Sequence, residues 1–140
     1  DSRSVSTAAL ARRRANAAVL TERLSALPGL RVPQPPEDAG HAWYKFYAYL
    51  RPEHLAVGWD RDRVVAAIQA HGVPCLHGGC GEIYREKAFA DTGWRPTTRL
   101  PTARDLAETS LMFPVDHTLT ESQMHQIAAA VLVAMQQATG

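Results

Sequence analysis

Several things are scarce in this chain, and each scarcity excludes something. Cysteine occurs only at Cys75 and Cys80, too few for a disulfide framework and at a spacing that matches no zinc signature, so reduced thiols are expected. No apolar run approaches the ~20 residues of a membrane span, and no signal-peptide core opens the chain. A soluble, cytoplasmic protein without a membrane partner is the expectation. Excess charge is lacking as well: a formal net charge of +1 gives neither nucleic acid nor an anionic membrane a general reason to bind. The chain starts at Asp1 without a methionine and a helical pattern begins almost at once. A piece of a longer protein is expected.

What is present is enough for one domain. With 46% hydrophobic residues in 140, a single unit over 1–140 can bury a real core. Ser4 or Ser6 is placed to cap a first helix running to about Leu27, with Ala17, Leu20, Leu24 and Leu27 inward and Pro28-Gly29 ending it. The Arg12-Arg13-Arg14 run on that helix reads as a solvated face, because consecutive helical residues point in different directions around the axis. Pro33, Pro35 and Pro36 make an extended connector.

His41 to Leu50 is the longest strand candidate, with Ala42, Tyr44, Phe46, Ala48 and Leu50 on one face and Trp43, Lys45, Tyr47 and Tyr49 on the other. Both faces are coverable, which suits helices on one side and a further domain on the other. Asp60 caps a helix over Arg61 to His71, with Gly72 as its stop. Val73 to Leu76 reads as a short strand, Ile83 to Phe89 as a turn or short helix, and Thr102 as the cap of a helix to Thr109. Leu111 to Val115 reads as the last strand. Thr120 with Gln123 forms a capping box for a final helix whose core stripe is Met124, Ile127, Ala128, Val131 and Met135. The sum is an α/β (α+β) two-layer sandwich: a small mixed or antiparallel sheet of three to four strands covered by N- and C-terminal helices.

The most informative stretch runs from Gly72 to Tyr84. An apolar strand leads into His77-Gly78-Gly79-Cys80-Gly81-Glu82, where glycines let the backbone approach a ligand and His77, Cys80, Glu82 and Tyr84 supply donors, acceptors and a base. A zinc site from His71, Cys75, His77 and Cys80 lacks the close ligand pairs such sites use. A Cys80 nucleophile beside His77 lacks an orienting third residue, and a packed neutral thiol is the expectation there.

Taken in order, His41-Ala42-Trp43, Gly72-Val73, His77, Leu100-Pro101-Thr102-Ala103, Ser110-Leu111-Met112-Phe113-Pro114 and Leu119-Thr120 resemble the C-terminal part of the PLP-dependent nucleotide-sugar aminotransferases of the DegT/StrS type. The resemblance covers nearly the whole chain. It implies the small C-terminal domain of a fold-type-I aminotransferase, with residues 1–27 as the connecting helix. It also implies amino transfer from glutamate to a keto group on a nucleotide-linked sugar, in polysaccharide or antibiotic-sugar biosynthesis, by a homodimer that carries pyridoxal 5'-phosphate. The family's Schiff-base lysine belongs to an N-terminal domain absent from this chain. Of the two lysines, Lys45 and Lys87, neither stands in the expected context. The resemblance therefore assigns no catalytic, cofactor-binding or metal residue here, and the isolated piece should be inactive and bind no cofactor.

Its contribution would be the substrate-side wall, made by His77, Gly78, Gly79, Cys80, Glu82 and Tyr84. His77 matches the family's loop histidine and Glu82 falls near a second polar position, while Gly78 stands where tyrosine is common. The glycines offer backbone N–H groups to phosphate oxygens. Apolar residues around Trp43, Tyr47 and the loop from Cys80 to Trp94 should meet the missing domain. The competing class is a non-enzymatic small-molecule-binding or regulatory module of the same build.

Overall fold

The computed structural model describes residues 2–140, with side chains from residue 6 onward. Four α-helices and three strands follow in the order α1 (Ser2–Leu24), β1 (Leu30–Arg31), β2 (Phe46–Leu50), α2 (Arg61–Ala70), α3 (Pro101–Thr109), β3 (Ser110–Phe113) and α4 (Glu121–Thr139). The sheet is antiparallel throughout, in the order β1-β2-β3, with Leu30 opposite Leu50 and Phe46 opposite Phe113. Among the described residues no helix is long and apolar enough to cross a membrane.

Helices from the two ends of the chain pack on each other and share one buried core with the sheet. Ala17, Leu20 and Leu24 of α1 meet Met124, Ile127, Ala128, Val131 and Met135 of α4, and all are buried. Strand β2 supplies Phe46, Ala48 and Leu50 from alternate positions, as a half-covered strand must. Full burial of each large apolar side chain contributes about 1.5–3 kcal/mol, and Phe46 and Phe113, register partners across β2 and β3 with 6.5 Å between ring centroids, join the two strands inside the core. Asn16 ties α1 to the turn before α4 by donating to the carbonyls of Asp116 and Leu119 at 2.8 and 3.2 Å.

The local signals near helix ends act as expected. Asp60 accepts from the Arg63 N–H at 2.8 Å, and Gly72 takes φ +77° just past α2. At α4 the box is complete: Thr120 Oγ1 accepts from the Gln123 N–H while the Gln123 side chain accepts from the Thr120 N–H.

Other boundaries differ from the sequence reading. Helix α1 runs through both Ser4 and Ser6, so neither starts it; the Ser4 side chain lies outside the described residues. It stops at Leu24 rather than Leu27 because Pro28 disfavours helical backbone at the residue before it. The strand from His41 is only Phe46–Leu50: Trp43 sits at φ +48° with its N–H on His41 Nδ1 at 3.0 Å, which breaks the extended run, and Tyr44 is exposed rather than inward. Val73 to Leu76 makes a single bridge, Leu76 to Met112, since Pro74 has no N–H to give. The third strand is instead Leu30–Arg31. Helix α3 begins at Pro101, a residue suited to the first helical position, so Thr102 lies inside it. Strand β3 ends at Phe113 because Pro114 follows.

Candidate functional site

The loop between Leu76 and α3 leaves the sheet at a firm anchor. Leu76 exchanges two backbone hydrogen bonds with Met112 of β3, at 3.0 and 2.8 Å. The Ser110 hydroxyl then donates to the His77 carbonyl. Gly78 follows at φ +91°, and a β-carbon there would sit 3.0 Å from both Ser110 Oγ and Tyr47 Cε1. Only glycine turns the chain in that space. The His77 imidazole projects outward, half exposed, with Nε2 3.6 Å from Asp62 Oδ1 at the start of α2.

The second anchor lies four residues on. Gly81 is pressed against Ala107 of α3. Glu82 is buried, and its carboxylate accepts from the Tyr84 hydroxyl at 2.6 Å, from Arg99 Nε at 3.0 Å and Nη2, and from Arg85 Nη1 at 3.4 Å. The Arg99 guanidinium, helped by the Tyr84 hydroxyl, holds the Glu82 carboxyl down at about 2. Glu82 in turn pushes the Arg99 value upward. Arg99 also donates to Glu108 at 2.7 Å, and the Leu100 N–H donates to the Tyr84 hydroxyl at 3.0 Å. Two 3₁₀ turns, Ile83–Arg85 and Lys87–Phe89, carry the chain onward.

Between the anchors, Gly78, Gly79 and Cys80 form a short arch. Cys80 is exposed rather than packed: its thiol donates to Glu86 at 3.1 Å, and that carboxylate pushes the thiol's pKa up. A protonated thiol is a poor nucleophile. Cys75 is buried in the core, where desolvation pushes it up to about 12. Among the described residues no group of three or more His, Cys, Asp or Glu is arranged to hold a metal ion.

Beside the arch, the outward face of the sheet forms a groove lined by Pro33, Pro35, Trp43, Tyr44, Lys45 and Tyr47, among others, with no carboxylate in its lining. Tyr47 touches both groove and arch. Trp43 and Tyr47 are half-buried, while Tyr44, Ile83 and Trp94 are 71%, 61% and 81% exposed. Sequence reasoning missed Arg99, Asp62 and Ser110. Arg99 stands just before the helix-starting Leu100-Pro101, but nothing local shows which carboxylate it meets.

The model of the DegT/DnrJ/EryC1/StrS aminotransferase family matches residues 6–132. The chain belongs to that family. An aminotransferase from Psychrobacter cryohalolentis, solved by X-ray crystallography, is similar to it at 38% identity and a TM-score of 0.88 over 96% of this chain and 36% of its own. DesV of S. venezuelae, described in complex with a ketimine intermediate, superposes at a TM-score of 0.78 and 24% identity, over 91% of this chain and 32% of its own. DesI, solved in the presence of its TDP-sugar product, does so at 0.75 and 21%, with the same coverage of 91% and 32%. The chain thus spans about a third of the length of the solved structures it matches. No curated protein matches it. In the DegT/DnrJ/EryC1/StrS frame the family-like pieces fall at connected places: His77 at the near anchor, Leu100-Pro101 at the start of α3, Ser110 to Phe113 as the strand beneath the loop, and Leu119-Thr120 at the cap of α4.

Proposed function

We propose that this chain is the C-terminal small domain of a PLP-dependent sugar aminotransferase. On this reading the whole protein is a cytoplasmic homodimer that transfers an amino group from glutamate to a keto group of a nucleotide-linked sugar. The arch from His77 to Cys80 is the substrate-side wall. The observation that carries the reading is the arch itself: within a fold shared with aminotransferases, a polar, glycine-rich segment is held at both ends and presents a half-exposed imidazole outward. A bound substrate hydroxyl or phosphate would meet the His77 ring and the N–H groups of Gly78, Gly79 and Cys80.

Pyridoxal phosphate acts as an electron sink for amino transfer, and a site for it needs a lysine, an acid for the pyridinium nitrogen and donors for the phosphate. The described residues do not fit it. Lys45 lies over the Tyr44 ring at 5.6 Å in a groove with no carboxylate, and Lys87 sits exposed in a 3₁₀ turn. We therefore place the cofactor in a domain outside this chain, and the apolar side chains at Tyr44, Ile83 and Trp94 among the surfaces that meet it.

Absorbance spectra of the full-length protein test the reading. A cofactor band that bleaches on adding glutamate and returns with a TDP-linked keto sugar is expected. A folded full-length protein without such a band would leave the regulatory-module reading in its place.

A further inference from the structure

Glu82 has no room for a substrate. A carboxylate offers about four lone-pair positions, and four donors reach this one: Tyr84 Oη and Arg99 Nε on Oε1, Arg99 Nη2 and Arg85 Nη1 on Oε2. Tyr84 is equally committed, donating to Glu82 and accepting from the Leu100 N–H. The arginine fork is planar and bidentate, a geometry that fixes orientation as well as distance. Its remaining reach goes to Glu108 on α3, which Arg104 also approaches at 3.7 Å. Next to Glu82 in the chain, Gly81 is wedged on Ala107. Three of these contacts, Arg99 to Glu82, the Leu100 N–H to Tyr84 and Gly81 against Ala107, tie residues 81–85 to the segment 99–108, and the others lie within one segment or the other. None points into the arch.

We propose that Glu82 and Arg99 are positioning residues that clamp the far end of the arch to α3, leaving His77, Gly78, Gly79 and Cys80 as the part of residues 77–82 that meets substrate. This rests on the reading of the arch as the substrate-side wall, and it divides that wall into a recognising half and a holding half. The near end is fixed separately, through Ser110 and the Leu76–Met112 bridge. The far end depends on the ion pair. Exchanging Glu82 for glutamine turns one acceptor oxygen into a donor that faces arginine N–H groups, so the fork is lost without change of shape. Arg99→Lys keeps the charge and loses the fork.

The test uses the full-length protein and two readouts. Hydrogen exchange follows Arg85, Glu86 and Leu100, whose N–H groups bond to Glu82 O, Ile83 O and Tyr84 Oη. In Glu82→Gln and in Arg99→Lys these amides should exchange roughly tenfold faster while α4 is unchanged. In parallel, with a TDP-linked keto sugar as acceptor, KM should rise by roughly tenfold and kcat change less than about twofold, because a loosened wall weakens binding and leaves the chemistry elsewhere intact. Unchanged exchange in both variants overturns the clamp. Unchanged exchange with a large loss of kcat overturns it in favour of Glu82 as a direct substrate contact. Faster exchange with an unchanged KM confirms the clamp and overturns the arch as substrate wall, so the two readings fail separately.

Discussion

A β-carbon on Gly81 would lie 2.6 Å from the β-carbon of Ala107 and 2.8 Å from its Cα. Both are atoms of a helix, one of them backbone, so they cannot swing aside as a flexible side-chain end would. Gly81→Ala should destabilise the domain by about 1–3 kcal/mol, the usual cost of overpacking. Denaturant titration measures it, and Ala107→Gly on top should recover part of the loss. A neutral Gly81→Ala would mean the loop is free to lift off α3.

Acid should weaken the same region. The Glu82 carboxyl is held at about 2, below its ordinary 4.5, first by Arg99 and then by Tyr84. A group depressed on folding stabilises above its unfolded value and loses that contribution as pH falls toward its folded value. Between pH 4.5 and about 2 the gap in melting temperature between the native protein and Glu82→Gln should therefore close. A gap that stays constant across that range would show that the carboxylate charge is not what holds the loop.

His77→Ala in the full-length protein should lower kcat/KM for the keto sugar by about 1.5–3 kcal/mol, the loss of one polar contact to a polar or charged group. The glutamate half-reaction should change much less. Stopped-flow measurement of each half separately decides it. An equal loss in both halves would move His77 from substrate contact to a role in folding or cofactor binding.

At the other end of the domain, Thr120→Ala removes the hydroxyl that accepts from the Gln123 N–H at 3.3 Å. A loss of about 0.5–2 kcal/mol is expected, with no effect on the arch. Thermal melts check the first part and exchange at Leu100 the second. Thr120→Ser should restore most of the stability.

The parts legible in the sequence were those decided within one turn of chain. Asp60, Gly72 and the Thr120–Gln123 pair act on backbone groups two or three residues away, and the stripe on α4 repeats at helical spacing, so each could be read directly. What escaped depends on distant partners. The strand at His41 looks continuous because its composition is strand-like, yet residues 41–45 have no pairing partner once β3 ends at Phe113. The two-residue strand Leu30–Arg31 exists only because β2 lies beside it. Glu82 and Arg99 are seventeen apart in the chain, and no local rule distinguishes a carboxylate awaiting a ligand from one already filled. His77 and the three glycines could be singled out by type; which half of the loop holds and which half recognises could not.

Tyr47 and Gly78 divide a single volume between them. The loop has no side chain at Gly78, and the space beside it is occupied by the Tyr47 ring rising from β2, 3.0 Å from where a β-carbon would stand. The aromatic surface at this point comes from the sheet and not from the loop. Relatives with a bulky residue at the position of Gly78 should therefore carry a small one at the position of Tyr47, a compensating exchange that single substitutions at either place would fail to reproduce.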